Sequence, residues 1–235
     1  MMSFEQLHAE LQRLANPERA LILQRFFRTG PGQYGEGDQF LGISVPELRA
    51  LARRYQTTAE ADLVRLLQSA WHEERTVALL ILLRQFTRAE AATRRRIYRL
   101  YLDHTAFINN WDLVDVSAPH IVGVYLHDKS RRPLYRLARS RSLWERRIAM
   151  LATFHFIRQR DFADALAIAK LLLEDREDLI HKAVGWMLRE IGRRDRQAEE
   201  TFLQEHYRRM PRTMLRYAIE KFPEARRRKY LAGTI

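Results

Sequence analysis

Trp111-Asp112-Leu113-Val114-Asp115, together with Arg147, Lys182 and Trp186, supplies the residue types needed to act on a positively charged group held against a polyanion. A fixed carboxylate stabilises positive charge that develops beside it. An indole face attracts a cation, more so when water is excluded. Arginine and lysine hold the surrounding anions. In a helix, residues four apart are neighbours, so Trp111 shares a face with Asp115 and Lys182 shares one with Trp186. A lone helical Trp is commonly a core residue. Here each Trp shares its face with a charge, which a dry core accepts poorly. Asp112 reads either as part of this chemistry or as a structural bond across a repeat junction.

The elements that must position these residues are helices. Helical periodicity dominates and strand-like alternation is nearly absent, which predicts an all-α fold. Pro133, Pro211 and Pro223 fall at or between helical segments, where proline punctuates. The chain also repeats itself. Glu74-Arg75-Thr76-Val77-Ala78-Leu79-Leu80 resembles Glu145-Arg146-Arg147-Ile148-Ala149-Met150-Leu151, and both resemble Ile180-His181-Lys182-Ala183-Val184-Gly185-Trp186. Met214 to Ile219 is a shorter echo, and Asn110 to Val114 fits the same register. Anchoring on Thr76, Asp112, Arg147, Lys182 and Arg216 gives a period of roughly 35 residues, the range of HEAT-like solenoids with two helices per unit. The expectation is one domain over residues 1–235, a HEAT-like α-α superhelix. Its anchors would form a mostly cationic ladder along a concave basic groove.

The bulk composition agrees with an anionic partner. Among 235 residues, 41 are basic and 29 acidic, a net charge of +12. That balance favours nucleic acid or an acidic membrane surface. Only five of the basic residues are lysine, and arginine suits bidentate phosphate contact. An Arg-rich codon bias would produce the same excess. There is no cysteine, which excludes disulfides, thiolate catalysis, zinc ribbons and Fe–S clusters. The histidines are scattered, with no spacing that suits a metal site. No apolar run approaches the roughly eighteen residues of a membrane span. Glu5 and Glu10 lie inside an amphipathic pattern, unlike a signal peptide. A soluble, monomeric, cytoplasmic protein without cofactor is expected, nucleoid-associated if bacterial.

Some motifs point elsewhere. Gly30-Pro31-Gly32-Gln33-Tyr34-Gly35 matches G-x-G-x-x-G, but a dinucleotide fingerprint needs a preceding strand. The preceding segment, Leu21 to Arg28, reads as helix, so Gly30–Asp38 reads as a flexible loop. Ser44 reads as the N-cap of a helix with Pro46 in its first turn. Arg94-Arg95-Arg96 and Arg226-Arg227-Arg228-Lys229 could touch phosphate but fit solvated helix faces. His120, His155 and His181 have no evident Ser or Cys partner, and there is no G-x-S-x-G.

The chain resembles the AlkD family of DNA alkylation-repair glycosylases. The resemblance rests on Phe40-Leu41-Gly42-Ile43 with Pro46 and Arg49, Trp111-Asp112-x-Val114-Asp115, Trp144-x-x-Arg147, and Lys182-Ala183-x-Gly185-Trp186-x-Leu188-Arg189-Glu190. It implies an all-helical HEAT-like solenoid that hydrolyses the N-glycosidic bond of cationic N3- or N7-alkylated purines in duplex DNA. It further implies that the lesion is not flipped into a base pocket. By this resemblance Asp115 matches the catalytic acid, Trp111 and Trp186 match the aromatics against the lesion-bearing deoxyribose, and Arg147 matches a backbone-binding arginine. With the ladder, the candidate DNA-binding residues are Arg147, Lys182, Arg189, Arg216, Phe26 and Arg28. Asn110 stands where many members carry a second tryptophan, Phe26 where they carry a tyrosine, and the Gly30–Asp38 loop is longer than theirs.

The implied chemistry suits these residues. An alkylated purine is already a cationic leaving group and needs little acid help. Positive charge develops on the sugar, where a carboxylate stabilises it and positions water. Two other readings remain: a DNA-binding relative that recognises unusual DNA structures without excising a base, and a HEAT-like protein-interaction scaffold. The scaffold predicts an apolar or mixed-sign groove, whereas the first two keep the arginines.

Overall fold

The computed structural model describes residues 3–235. Contacts group them into two units, Met1–Ser117 and Ala118–Ile235. Among the described residues every element is helical apart from one isolated parallel bridge, Gln39 to Trp71. No helix is long and apolar enough to cross a membrane.

The first unit contains α1 (Phe4–Arg13), α2 (Pro17–Phe26), α3 (Val45–Arg54), α4 (Glu60–Leu67), α5 (His72–Arg88), α6 (Ala91–Asp103) and α7 (Trp111–Ala118). Its helix starts follow local chemistry. Ser3 and Ser44 each form a capping box, with Gln6 and Glu47 respectively, and Asn16 caps α2 with Pro17 at its first position. The expected Ser44 cap and first-turn Pro46 are therefore present. Leu7, Leu11, Leu48, Leu51, Leu63, Leu66 and Leu67 are buried on α1, α3 and α4, the helices that surround α5. Most of α5 is buried: an apolar stretch from Val77 to Leu82 follows five consecutive buried polar residues, His72 to Thr76. Such residues are rarely all interior unless each is partnered.

The second unit opens with a π turn, Pro119–Gly123, followed by α8 (Arg132–Ala138), α9 (Leu143–Ala152), α10 (Phe154–Arg158), α11 (Ala163–Leu171), α12 (Asp178–Gly192), α13 (Arg196–His206), α14 (Arg212–Ala218) and α15 (Glu224–Ala232). Pro133 lies in the first turn of α8, and Pro211 and Pro223 precede α14 and α15. The central element is α12, which buries Ile180, Ala183, Val184, Met187, Leu188 and Ile191. Gly185 allows α14 to approach it: a Cβ there would lie 2.4 Å from the Met214 carbonyl oxygen and 2.5 Å from the Tyr217 Cβ.

Helix starts sharpen the repeat register. Thr76, Arg147, Lys182 and Arg216 each fall four residues after the first residue of α5, α9, α12 and α14. On α7 that position is Asp115, not Asp112. Asp112 sits at the helix entrance, so its place in the ladder is corrected.

Candidate functional site

In the first unit the site is built around a buried ion network. The His72 ring donates from Nδ1 to Asp38 at 3.2 Å and from Nε2 to Asp112 at 2.8 Å. Burial opposes its charge, but Asp112, through field and hydrogen bond, and the hydrogen bond to Asp38 push His72 up to about 9. Asp38 also accepts from Arg75 and, at 3.0 Å, from the Asn110 amide. Despite burial, these donors hold the Asp38 carboxyl below its ordinary range. Two carboxylates thus face two cations, the arrangement that makes buried charge tolerable.

This network fixes the entrance of α7. The Asn110 side-chain oxygen accepts the Trp111 N–H at 2.8 Å, and Asp112 accepts the Leu113 N–H at 2.9 Å. Asn110 is fully buried. It is therefore an internal tie rather than a surface counterpart of a second tryptophan. Trp111 stacks on Phe27 at 5.3 Å, Phe27 on Phe40 at 5.0 Å, and Phe40 on the His72 ring at 4.5 Å. The last contact sets a cationic imidazolium against an aromatic face. Phe26, 61% exposed, stands edge-on to Trp111 at 5.9 Å. The half-buried face of α7 carries Trp111, Asp112 and Asp115, while Leu113, Val114 and Ser117 turn inward. The structure therefore sets Phe26 beside Trp111 and keeps Asp115 on the same face of α7, with Trp111 partly exposed and partly core.

The Phe40-Leu41-Gly42-Ile43 motif is structural. The buried Glu73 carboxylate accepts the N–H groups of Leu41, Gly42 and Ile43 at 2.8, 2.8 and 3.3 Å. Gly42 has φ +83°, and a Cβ would fall 2.2 Å from the Asn16 carbonyl oxygen. Only glycine fits there. The Gly30–Asp38 segment follows a helix, as expected, and forms successive turns. Its Gly35 and Asp38 N–H groups bond to the Arg28 and Gly35 carbonyls. It is a hydrogen-bonded loop that delivers Asp38 to the network. Arg28 is exposed, with φ 52°, where α2 ends and this segment begins.

In the second unit, Lys182, Trp186 and Arg189 form a half-buried stripe on α12. Lys182 pairs with Asp178 at 2.7 Å, and Arg189 pairs with Glu220. Arg216 is exposed on α14. Trp186 packs near Phe154 at 6.0 Å, and the Arg158 and Arg194 guanidinium groups lie 6.0 and 5.9 Å from the Phe154 ring. Arg147 is placed differently. It is 4% exposed, and its guanidinium donates to the Leu179 carbonyl at 2.6 Å, tying α9 to α12. Thr76 is also buried, its hydroxyl on the His72 carbonyl at 2.9 Å. The ladder is thus not a uniformly exposed cationic row, because two of its members serve packing. Arg94 and Arg96 bond to Phe86, Thr87 and Glu60, and Arg226, Arg227 and Arg228 pair with Glu200 and Glu224.

The sequence pattern of the DNA alkylation repair enzyme family matches residues 7–222. The chain belongs to that family. No curated protein matches it in sequence. Its fold is similar to that of a predicted DNA alkylation repair enzyme from Enterococcus faecalis, with TM-score 0.68 at 18% identity, covering 89% of this chain and 97% of the other. It is also similar to AlkD2 from Streptococcus mutans, with TM-score 0.55 at 17% identity, covering 94% and 100%. These neighbours share the all-helical repeat fold, and the family implies DNA as substrate.

Within this alkylation-repair chain, Asp38, Glu73 and His72 are residues that sequence reasoning did not single out, and Asn110 was noted there only as a replaced tryptophan. The available signal was the polar start of α5, His72-Glu73-Glu74-Arg75, which precedes an apolar run and needs partners once buried. Their partners come from 30 to 72 positions away, beyond any local pattern.

Proposed function

We propose that this chain is a DNA glycosylase that releases cationic N3- or N7-alkylated purines from duplex DNA, with Asp115 as its catalytic carboxylate. The observation that carries the reading is the position of Asp115, one turn after Trp111 on the same half-buried face of α7. The nearer acid, Asp112, is committed to a buried imidazolium and suits an anchoring role. In the reaction the C1′–N bond breaks and its electron pair leaves with the purine, neutralising the base. Positive charge remains on the sugar ring. Asp115 stabilises that charge and orients a water, which bonds to C1′ and gives its proton to that carboxylate, from which it passes to solvent. Trp111, its ring held by Phe27, presents an aromatic face to the same cation. Lys182, Trp186, Arg189 and Arg216 are assigned to DNA contact from the second unit, and Phe26 and Arg28 from the first. The half-buried Trp111 ring, with the exposed Phe26 edge-on to it, fits a lesion attacked without extrusion of its base.

Duplex DNA containing N7-methylguanine tests this under single-turnover conditions. Asp115→Asn should slow release of free base by about 2.7–4 kcal/mol of barrier, on the scale of losing one preorganised electrostatic group. Its duplex affinity should be unchanged or slightly improved, because an anion leaves a basic surface. Equal release by the two proteins would remove Asp115 from the mechanism. Tight duplex binding with no release by the unsubstituted protein would favour the non-excising DNA-binding alternative.

A further inference from the structure

Around α10 the Ala118–Ile235 unit gathers positive and protonatable groups for which the excision chemistry has no use. α10 packs on the π turn Pro119–Gly123. Near this junction the rings of His127 and His155 stand edge to face at 5.1 Å. Burial holds His155 below the usual histidine range, and His127, Arg158, His120 and Arg131 act in the same direction. Burial, then Arg158, also lowers His120. His120, His127 and Arg158 are exposed, and His155 is half-buried.

The nearby acids are engaged with other cations. Asp161 and Asp164 each hold Arg131 at 2.6 Å. Asp128, beside His127, pairs with Lys129, whose ammonium lies 4.9 Å from the Tyr125 ring. Protonation of these rings beside one another and beside Arg158 is disfavoured unless an anion joins them. Among the described residues no group of three histidine or acidic side chains is arranged to hold a metal ion, so a cation is the wrong ligand. Arg158 also reaches toward the Phe154 ring, which adjoins Trp186. The cluster is therefore continuous with the stripe assigned above to DNA.

We propose that His120, His127, His155 and Arg158 bind a phosphodiester of the DNA backbone and take up protons as they do so. The inference rests on duplex DNA being the ligand and does not require base excision. The sign follows from linkage. Phosphate favours the imidazolium forms, so affinity rises as pH falls through the range where the unbound rings are neutral. His72, charged up to about 9, does not titrate in that window.

Fluorescence anisotropy with an unmodified duplex and the full chain tests the proposal. The unsubstituted protein should bind roughly tenfold tighter at about pH 6 than at about pH 8. The doubly substituted His127→Gln/His155→Gln protein should lose most of that response, and so in part should the exposed single variant His127→Gln if the double one melts early. Arg158→Ala should lower the slope of log affinity against log salt by roughly one unit. A pH response unchanged in the histidine variants, or absent from the unsubstituted protein, would overturn the site. An intact pH response in a protein that releases no N7-methylguanine would overturn the glycosylase reading alone. Normal release with pH-independent binding would overturn this inference alone.

Discussion

Arg147 separates a phosphate ligand from a structural tie. Its guanidinium is enclosed between α9 and α12 and satisfies the Leu179 carbonyl. Truncation removes a charged donor from the part-buried Leu179 carbonyl, a hydrogen bond worth about 1.5–3 kcal/mol. Arg147→Ala should therefore lower the melting temperature measurably, and any loss of duplex affinity should follow that loss of stability. Calorimetry and anisotropy on the same sample check this. An unchanged melting temperature with weakened binding would return Arg147 to the DNA-contact set. Asp112 and Asp115 show the same division among acids: one neutralises a buried histidine, and the other lies one turn further on the same helix face.

At the scale of elements, the first unit depends on α5 holding two loops through its polar first turn. Glu73 gathers three successive N–H groups of the segment before α3, while His72 and Arg75 hold Asp38. Glu73→Ala would leave three buried donors unmet, at about 1–3 kcal/mol each before relaxation. A loss of at least about 3 kcal/mol in denaturant unfolding is expected. Gly42→Ala should cost stability by an independent route, since its Cβ would collide with the Asn16 carbonyl. If Glu73→Ala unfolds at the same denaturant concentration as the parent, the carboxylate clamp does not hold this segment.

The whole molecule should lose stability toward alkaline pH. Burial raises Glu199 from an ordinary 4.5 to about 8, so the stability linked to its proton is full below about 4.5 and declines as pH rises through about 8. His72, raised from 6.5 to about 9, contributes stability that is full below about 6.5 and lost as pH rises through about 9. His120 and His155 act oppositely: their lowered values cost stability as pH falls below 6.5. The melting temperature should therefore fall between about pH 6.5 and pH 9. Glu199→Gln should flatten the part of the decline below about pH 8. An unchanged slope in that variant would exclude Glu199 as a source.

Periodicity, proline placement and cap residues determined the all-α fold, the Ser44 helix start and the repeat of roughly 35 residues, because these depend on neighbours along the chain. The Trp111–Asp115 and Lys182–Trp186 faces were legible for the same reason: helical spacing fixes which side chains share a side. Burial was decided by tertiary structure. Thr76, Arg147, Lys182 and Arg216 occupy equivalent helix positions, yet two are buried, Lys182 is half-buried and Arg216 is exposed. The Asp38–His72–Asp112 network was invisible in sequence because its partners lie 34 and 40 residues apart. Its charges are tolerated only when the fold brings them together, since a buried ion is costly until an opposite charge meets it.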